Sequence, residues 1–176
     1  MPASKNKKDR YDELWYNDEF WVTDGIDFSS RKIMLDEDVD EGSVGYVIRA
    51  IHKMEEIDPK KPIKIYVSSY GGSVYDCYSL YDTIRKCPCP VETYAQGKVM
   101  SAATDIFLAG DERYAYPNVT FMFHTMASDP GYQKLFEQQS DVKEGERLWD
   151  IGLRILADRT NKPYNFWKKW LKYENR

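Results

Sequence analysis

Apolar residues recur along this chain in two periods, one typical of strands and one typical of helices. Short runs rich in β-branched residues, such as IKIYVSS and VETYAQ, predict strands. Apolar residues spaced by three and four over 41–57 and 74–87 predict amphipathic helices that follow each strand in turn. A helix near 101–109, a long helix at about 134–159 and a short one at about 164–173 complete the helical pattern.

Three further strands are predicted at RKIMLD, ERYAY and VTFMF, with a turn at Pro117 and Asn118 between the last two. Strands that alternate with helices over this length predict an α/β fold with a largely parallel sheet. Residues 1–30 show neither period, so we expect an irregular N-terminal arm that needs a partner surface, followed by one domain over 31–176. With 176 residues, 42% of them hydrophobic, the chain is long enough for one compact core.

Charge and composition narrow the classes of function. The formal net charge is -4, and acids and bases are interspersed, so no basic face indicates a nucleic-acid partner. The apolar runs are far shorter than the roughly 20 residues of a membrane span, and MPASKNKKDR lacks a signal-peptide core. Cys77, Cys87 and Cys89 have no nearby ligands to complete a four-ligand zinc site. We therefore expect a cytoplasmic protein without a metal.

Three features stand where predicted strands end: Gly71 and Gly72 after IYVSS, Ser101 after VETYAQGKVM, and His124 after VTFMF. The carboxyl ends of parallel strands share one edge, where sites form. Singly, each feature has a structural explanation, since glycines suit a tight turn, a serine caps a helix and a histidine hydrogen-bonds locally. Together they supply the hydroxyl, the base and the backbone N–H donors that acyl transfer requires.

The base can be chosen from the two histidines of the chain. His52 lies inside a predicted helix, whereas His124 lies at a strand end and is the better candidate. The N–H after Ser101 can join those of the glycine turn in holding an oxyanion, with the helix dipole favouring the charge. The residues thus predict that Ser101 is a nucleophile that also begins a helix.

The segment IYVSSYGGSVYDCYSLYDTIRKCPCPVETYAQGKVMSAATDIFLAG resembles the ClpP family, the proteolytic subunits of the Clp protease. That family has a strand, SPGGSV, a helix containing IYD, a PV strand and then GxAAS, and its PNSRVMIHQP segment is similar to YPNVTFMFHTM. The resemblance covers about 31–176. It implies a ClpP/crotonase-like α/β spiral of β-β-α type units, with a protruding helical handle at about 130–158.

The resemblance also implies roles for individual residues of a serine endopeptidase that works through an acyl-enzyme. Ser101 matches the nucleophile and His124 the general base, while Gly72 and Ala102 match the backbone N–H donors of the oxyanion hole. Recognition is expected to be mainly main-chain pairing, with weak side-chain preference. The residues that match the strands holding the substrate backbone are Ser73, Val74, Thr125 and Met126.

Assembly and partners are implied in the same way. The resemblance implies heptameric rings, stacked as a tetradecamer around the active sites, and an AAA+ unfoldase that feeds polypeptide through the pore. ATP belongs to that partner, so this chain is expected to bind no cofactor of its own. A non-catalytic ring or scaffold subunit and a phage-type processing protease remain alternatives, as does a relative that binds acyl-CoA.

The chain departs from the family pattern at several places. Tyr70 replaces a proline before the glycine pair, which is expected to relax that turn. Between Gly110 and Pro117 the chain is about two residues shorter than the family pattern, which we expect to be harmless. The handle has SDPGYQKLFEQQSD in place of the Gly-rich GGxxGxAxD, so the sequence does not decide which contacts it makes between rings.

The acid of the expected triad is the largest departure. The family places an aspartate in an RD pair beyond the second helix after His124, and counting without gaps from Thr160 puts Glu174 there. A glutamate can orient a histidine. Alternatively, Arg176 is the arginine of that pair, and the C-terminal segment with the aspartate is missing. Glu174 is then a solvated charge near a frayed terminus.

Overall fold

The structure is a computed structural model that describes residues 21, 24–125 and 135–172. Most of the predicted arm therefore lies outside the described residues, and the boundary between arm and domain stays a prediction. No helix in the described part of the chain has the length and apolarity needed to cross a bilayer. The strands are β1 (Ile26–Asp27), β2 (Lys32–Leu35), β3 (Ile63–Ser69), β4 (Val91–Met100), β5 (Glu112–Ala115) and β6 (Thr120–Met122).

The helices lie between and after these strands, close to the predicted ranges. Over 41–57 and 74–86 the buried residues follow the predicted three-to-four spacing, because one face of each of these two helices is removed from water. The helices with described bounds follow in chain order. They are α1 (Glu41–Ile57), α2 (Val74–Lys86), α3 (Ala102–Ala109), α4 (Leu135–Arg159) and α5 (Tyr164–Lys172).

The sheet has the order β1-β2-β3-β4-β5, and β6 also pairs with β4. Every pairing is parallel except that of β1 with β2, so the predicted α/β class with a largely parallel sheet is confirmed. The pattern of the sequence missed β1, which lies in the range expected to be irregular. A strand of two residues is too short to show a period.

The core lies where α1, α2 and α3 cover the sheet. Ile33 and Ile65 of the sheet are fully buried, as are Ile51 of α1 and Leu80 of α2. Because seven of the eight residues of α3 are buried, this helix is enclosed on nearly all sides. A helix that starts at a strand end and is held this firmly gives its first turn a fixed position.

Candidate active site

Ser101 links the end of β4 to the start of α3. Its backbone has φ 52 and ψ -128, a conformation that L-residues seldom adopt. Its N–H donates to the carbonyl of Met122 at 2.8 Å, and its own carbonyl accepts from the N–H of Thr104 at 2.9 Å. The hydroxyl of Thr104 donates to the same carbonyl at 2.6 Å. These bonds hold the strained residue from both sides.

His124 reaches Ser101 because of the register between two parallel strands. Met100 of β4 lies opposite Met122 of β6, so the two strands end at the same level. Ser101 is the next residue on one strand, and His124 follows two residues beyond the other. The Nε2 atom of His124 lies 2.7 Å from Oγ of Ser101, within hydrogen-bond distance. The structure thus brings together the predicted serine and histidine.

The glycine turn lies directly against the start of α3. Gly71 has φ 98 and Gly72 has φ 149, and both values favour glycine. A β-carbon on Gly71 would lie 2.6 Å from the carbonyl oxygen of Met100 and 2.9 Å from the nitrogen of Ala102. A β-carbon on Gly72 would collide with the carbonyl oxygen of Val39. The close approach of this turn to the serine therefore requires glycine at both positions.

Two backbone N–H groups beside Ser101 have no hydrogen-bond acceptor among the described residues, those of Gly72 and Ala102. Ala102 is the first residue of α3, so its N–H has no acceptor within the helix. Gly72 is bridged to Val39, but the bonds of that bridge use the carbonyl of Gly71 and the N–H of Ser73. Donors left free at a helix start suit a negatively charged oxygen.

The turn before these glycines carries Tyr70 where the family pattern has proline. The Tyr70 ring is exposed, and Nζ of Lys98 lies 4.7 Å from its centroid. The N–H of Gly71 donates to Oγ of Ser69 at 3.1 Å, which holds the backbone on the strand side. A side-chain bond thus supplies part of the restraint that a proline ring would give.

Three of the four residues expected to hold substrate backbone are among the described residues. Ser73 is the N-cap of α2, and its Oγ accepts from the N–H of Asp76 at 3.4 Å. Val74 lines the cavity beside Ser101, and Thr125 follows His124 directly. Met126 lies outside the described residues, and its role stays a prediction.

The acid of the triad also stays a prediction. Glu174 and Arg176 both lie outside the described residues. Within 24–125 and 135–172, no carboxylate hydrogen-bonds to the second ring nitrogen of His124. The orientation of the imidazole is therefore set, among the described contacts, by the bond to Ser101.

A cavity of about 260 Å³ opens beside Ser101 and His124. Its walls are mostly apolar and come from α2, α3, the chain after β6, α4 and α5. A pocket of this kind next to a nucleophile can receive a substrate side chain. The larger side chains of these walls include those of Val74, Tyr78, Phe123, Trp149 and Leu156.

Among the described residues, Asp105 is the one acidic residue that lines this cavity, and the sequence reasoning missed it. Asp105 lies in α3 four residues after Ser101, and both residues line the cavity. Burial raises the pKa of its carboxyl to about 7. The available signal was a lone acid in the apolar run AATDIFLAG, one helical turn from the serine.

The cysteines are free and take part in local packing. Cys77 is buried and its thiol donates to the carbonyl of Ala102 at 3.1 Å, while Cys89 is buried next to the guanidinium of Arg31 at 3.3 Å. Burial raises the pKa of the Cys77 thiol well above its usual range. In the part of the chain that the structure describes, no three potential metal ligands are grouped together.

Comparisons with known proteins indicate one family. The family model described as Clp protease matches residues 23–172. The chain is 30% identical over 137 residues to an ATP-dependent Clp protease proteolytic subunit 2 of Corynebacterium jeikeium, covering 77% of this chain and 66% of that protein. It is 30% identical over 135 residues to a subunit 1 of Bifidobacterium longum, covering 76% and 58%.

Among solved structures, an Asn-to-Asp mutant of ClpP1 from Listeria monocytogenes is similar at 25% identity, with a TM-score of 0.73. The similarity covers 81% of this chain and 79% of that one. The match to the two curated relatives, by contrast, spans less than two thirds of their lengths.

Proposed function

Because the chain belongs to the Clp protease family, we propose that it is a serine endopeptidase subunit that cleaves unfolded polypeptides through an acyl-enzyme. The observation that carries the proposal is the 2.7 Å contact between Oγ of Ser101 and Nε2 of His124. A serine that only capped its helix would bond to a backbone N–H of the first turn, and Ser101 makes no such bond.

In the proposed reaction, Oγ of Ser101 attacks the carbonyl carbon of a peptide while Nε2 of His124 takes the hydroxyl proton. The tetrahedral intermediate collapses, the C–N bond breaks, and His124 gives the proton to the leaving amine. A water then attacks the ester with His124 again as base, which releases the acid and restores Ser101.

The oxyanion of the intermediate lies between the N–H groups of Gly72 and Ala102. Both donors are fixed before the reaction, since the glycine turn packs against the first turn of α3. The positive end of α3 adds to their effect. Donors that need no reorganisation in the transition state typically contribute roughly 10²–10³-fold to the rate.

The polypeptide lies extended between the start of α2 and the chain after β6. On one side, main-chain groups of Val74 pair with it next to Ser73, whose own N–H donates to Val39 and whose carbonyl accepts from Cys77. On the other side, main-chain groups of Thr125 and Met126 pair with it. Pairing through the main chain lets one site accept many sequences. Two features support this placement: Val74 lines the cavity beside Ser101, and Thr125 directly follows His124.

The proposal extends to assembly and partners. The subunits form heptameric rings, stacked as a tetradecamer, and an AAA+ unfoldase supplies the substrate and hydrolyses the ATP. The chain needs no cofactor of its own, since serine, histidine and two N–H groups suffice for acyl transfer. The cytoplasm as the compartment, and Glu174 as the third member of the triad, stay predictions of the same kind.

The test is labelling by a fluorophosphonate probe, measured by intact mass, with the assembly sized in the same samples. We expect one adduct on the wild-type chain and none on Ser101→Ala or His124→Ala. His52→Ala and Ser79→Ala are matched controls, because both side chains are exposed on helices away from the cavity. An assembled wild-type ring that takes up no probe would favour the non-catalytic ring subunit.

A further inference from the structure

The carboxyl of Asp105 lies in a place where carboxylates are rarely found. Its residue lines the cavity beside Ser101, and its pKa is raised by burial alone, without a compensating charge. A buried polar group without a partner is costly, so its presence in a folded protein calls for an explanation.

Two hydrogen-bond donors near Asp105 donate elsewhere. The hydroxyl of Tyr78 donates to the carbonyl of Leu148 at 2.8 Å, and the thiol of Cys77 donates to the carbonyl of Ala102. Asp105 forms neither a hydrogen bond nor an ion pair with any residue in the described ranges. Its carboxyl thus has unused capacity to accept hydrogen bonds.

The opposite wall of the cavity leaves room for this carboxyl. A β-carbon built on Gly152 of α4 would lie 3.7 Å from Oδ2 of Asp105 and 3.0 Å from the hydroxyl oxygen of Tyr78. Glycine at this position keeps a side chain out of the space where the two polar groups approach α4. The carboxyl is therefore partly accessible from the cavity although protein surrounds it.

The position of Asp105 relative to Ser101 decides which part of a substrate it would contact. The side chain of the residue whose carbonyl is attacked starts one bond from that carbonyl carbon, so it enters the cavity that Ser101 opens into. Four residues of helix correspond to about 6 Å along the axis, a distance that a long side chain spans. Its aliphatic part would lie along Val74, Trp149 and Leu156.

We infer that Asp105 makes this cavity select substrates with lysine or arginine at the residue whose carbonyl Ser101 attacks. This inference rests on the proposed endopeptidase function and departs from the weak side-chain preference expected above. A cation there supplies the donors that the carboxyl lacks. An apolar side chain of the same length would contact the apolar walls but leave the carboxyl without a hydrogen-bond donor. Binding sites discriminate strongly against substrates that leave a buried polar group unpaired.

The experiment uses two diphenyl phosphonate probes that differ only in the side chain at this position, one of lysine type and one of norleucine type. Each labelling rate at Ser101 is measured by intact mass and divided by the fluorophosphonate rate of the same variant. We expect the wild-type chain to favour the lysine probe by about tenfold or more, and Asp105→Asn to lose that preference. Asp105→Leu should favour the norleucine probe.

Asp82→Asn is the matched control, because it removes an exposed aspartate of α2 outside the cavity and should keep the wild-type ratio. If the fluorophosphonate labels Ser101 but the wild-type chain favours the norleucine probe, the specificity is overturned and the proposed function stands. The wild-type ratio decides this even if an Asp105 variant does not fold. If the fluorophosphonate itself fails to label, both proposals are overturned.

Discussion

The helices α2 and α3 both follow a parallel strand and both begin after a serine, yet the two serines differ in almost every respect. Ser73 has φ -62 and ψ 125, and its hydroxyl oxygen accepts from the N–H of Asp76. This is the usual arrangement of an N-cap. Ser101 has φ 52, makes no capping bond, and instead directs its hydroxyl to His124.

The difference shows that the backbone, and not the residue type, decides what a serine at a helix start does. Ser101 is held in its conformation by bonds to Met122 and Thr104, so its side chain is turned away from the helix it begins. Such strain typically costs about 1–3 kcal/mol and persists only where the surroundings impose it. The first turn of α3 thus gives up stability that the first turn of α2 keeps.

Removing the hydroxyl of Ser101 should therefore reduce reactivity, whereas removing that of Ser73 should reduce stability. The largest expected effect is the loss of reactivity in Ser101→Ala. We expect peptide hydrolysis to fall by about 10³-fold or more, since the nucleophile is gone. The free energy of unfolding should fall by no more than about 1 kcal/mol, because the hydrogen bond to His124 is lost but no capping bond is. Urea denaturation and hydrolysis of an unstructured peptide measure the two effects, and residual turnover near wild type would show that Ser101 is not the nucleophile.

The contact between the two helix starts can be broken at Gly71. Gly71→Ala should lower the free energy of unfolding by roughly 3 kcal/mol, because φ is positive and the new carbon meets backbone atoms of Met100 and Ala102. Gly145→Ala in α4 is the matched control, since a β-carbon there meets nothing within 4 Å. That control should gain about 0.5–1 kcal/mol. Equal unfolding curves for the two variants would contradict the close packing at Gly71.

The buried carboxyl of Asp105 in α3 makes the stability of the protein depend on pH. Because burial raises the pKa of Asp105 to about 7, the folded protein holds that proton more tightly than the unfolded chain. The carboxyl therefore lowers stability progressively as pH rises from about 4 to about 7. The stability advantage of Asp105→Asn over wild type should therefore grow by roughly 2 kcal/mol from pH 5 to pH 8, as measured by urea denaturation. A gain that is the same at both pH values would mean that Asp105 is not desolvated.

The strain at Ser101 can be measured by comparing two substitutions of the same residue. Ser101→Gly should be more stable than Ser101→Ala by about 1 kcal/mol, because glycine adopts positive φ freely and alanine does not. Ser73→Gly and Ser73→Ala form the matched pair at a residue with negative φ. If both pairs differed by the same amount in thermal or urea unfolding, the conformation of Ser101 would carry no strain.

The smallest effect concerns the cap of α2. Ser73→Ala should lower the free energy of unfolding by about 0.5 kcal/mol, at the low end for an N-cap because the bond to Asp76 is long at 3.4 Å. Ser73→Asp, which can also accept from the first turn, should restore the loss in the same urea series. Failure of aspartate to restore it would assign the effect to something other than the cap.

Periodicity alone predicted most of the architecture. The helices α1, α2 and α4 and the buried strands β3 and β4 are long enough to show their period, and each was predicted close to its bounds. The two-residue strand β1 was missed because its pairing with β2 is a tertiary contact with no local signal. Similarly, VETYAQ was predicted as a strand, but β4 continues to Met100, since Lys98 and Val99 pair with β6.

The sequence placed Gly72, Ser101 and His124 at strand ends, which is as far as pattern reasoning reaches. It could not give the 2.7 Å contact, because that depends on the register of β4 with β6. Nor could it give the conformation of Ser101, which Met122 and Thr104 impose. Asp105 was missed for a related reason: an acid in the first turn of a helix is ordinary, and only the packing of α4 shows that it is enclosed.

The shared register of β4 and β6 also determines where this chain can gain or lose residues during evolution. The 116–119 connection before β6 is largely exposed, and a length change there leaves the pairing of Met100 with Met122 intact. A single insertion between Met122 and His124 would instead move the imidazole by one residue and turn it to the other side of the strand. Homologues should therefore vary in length before β6 and keep a constant spacing after it.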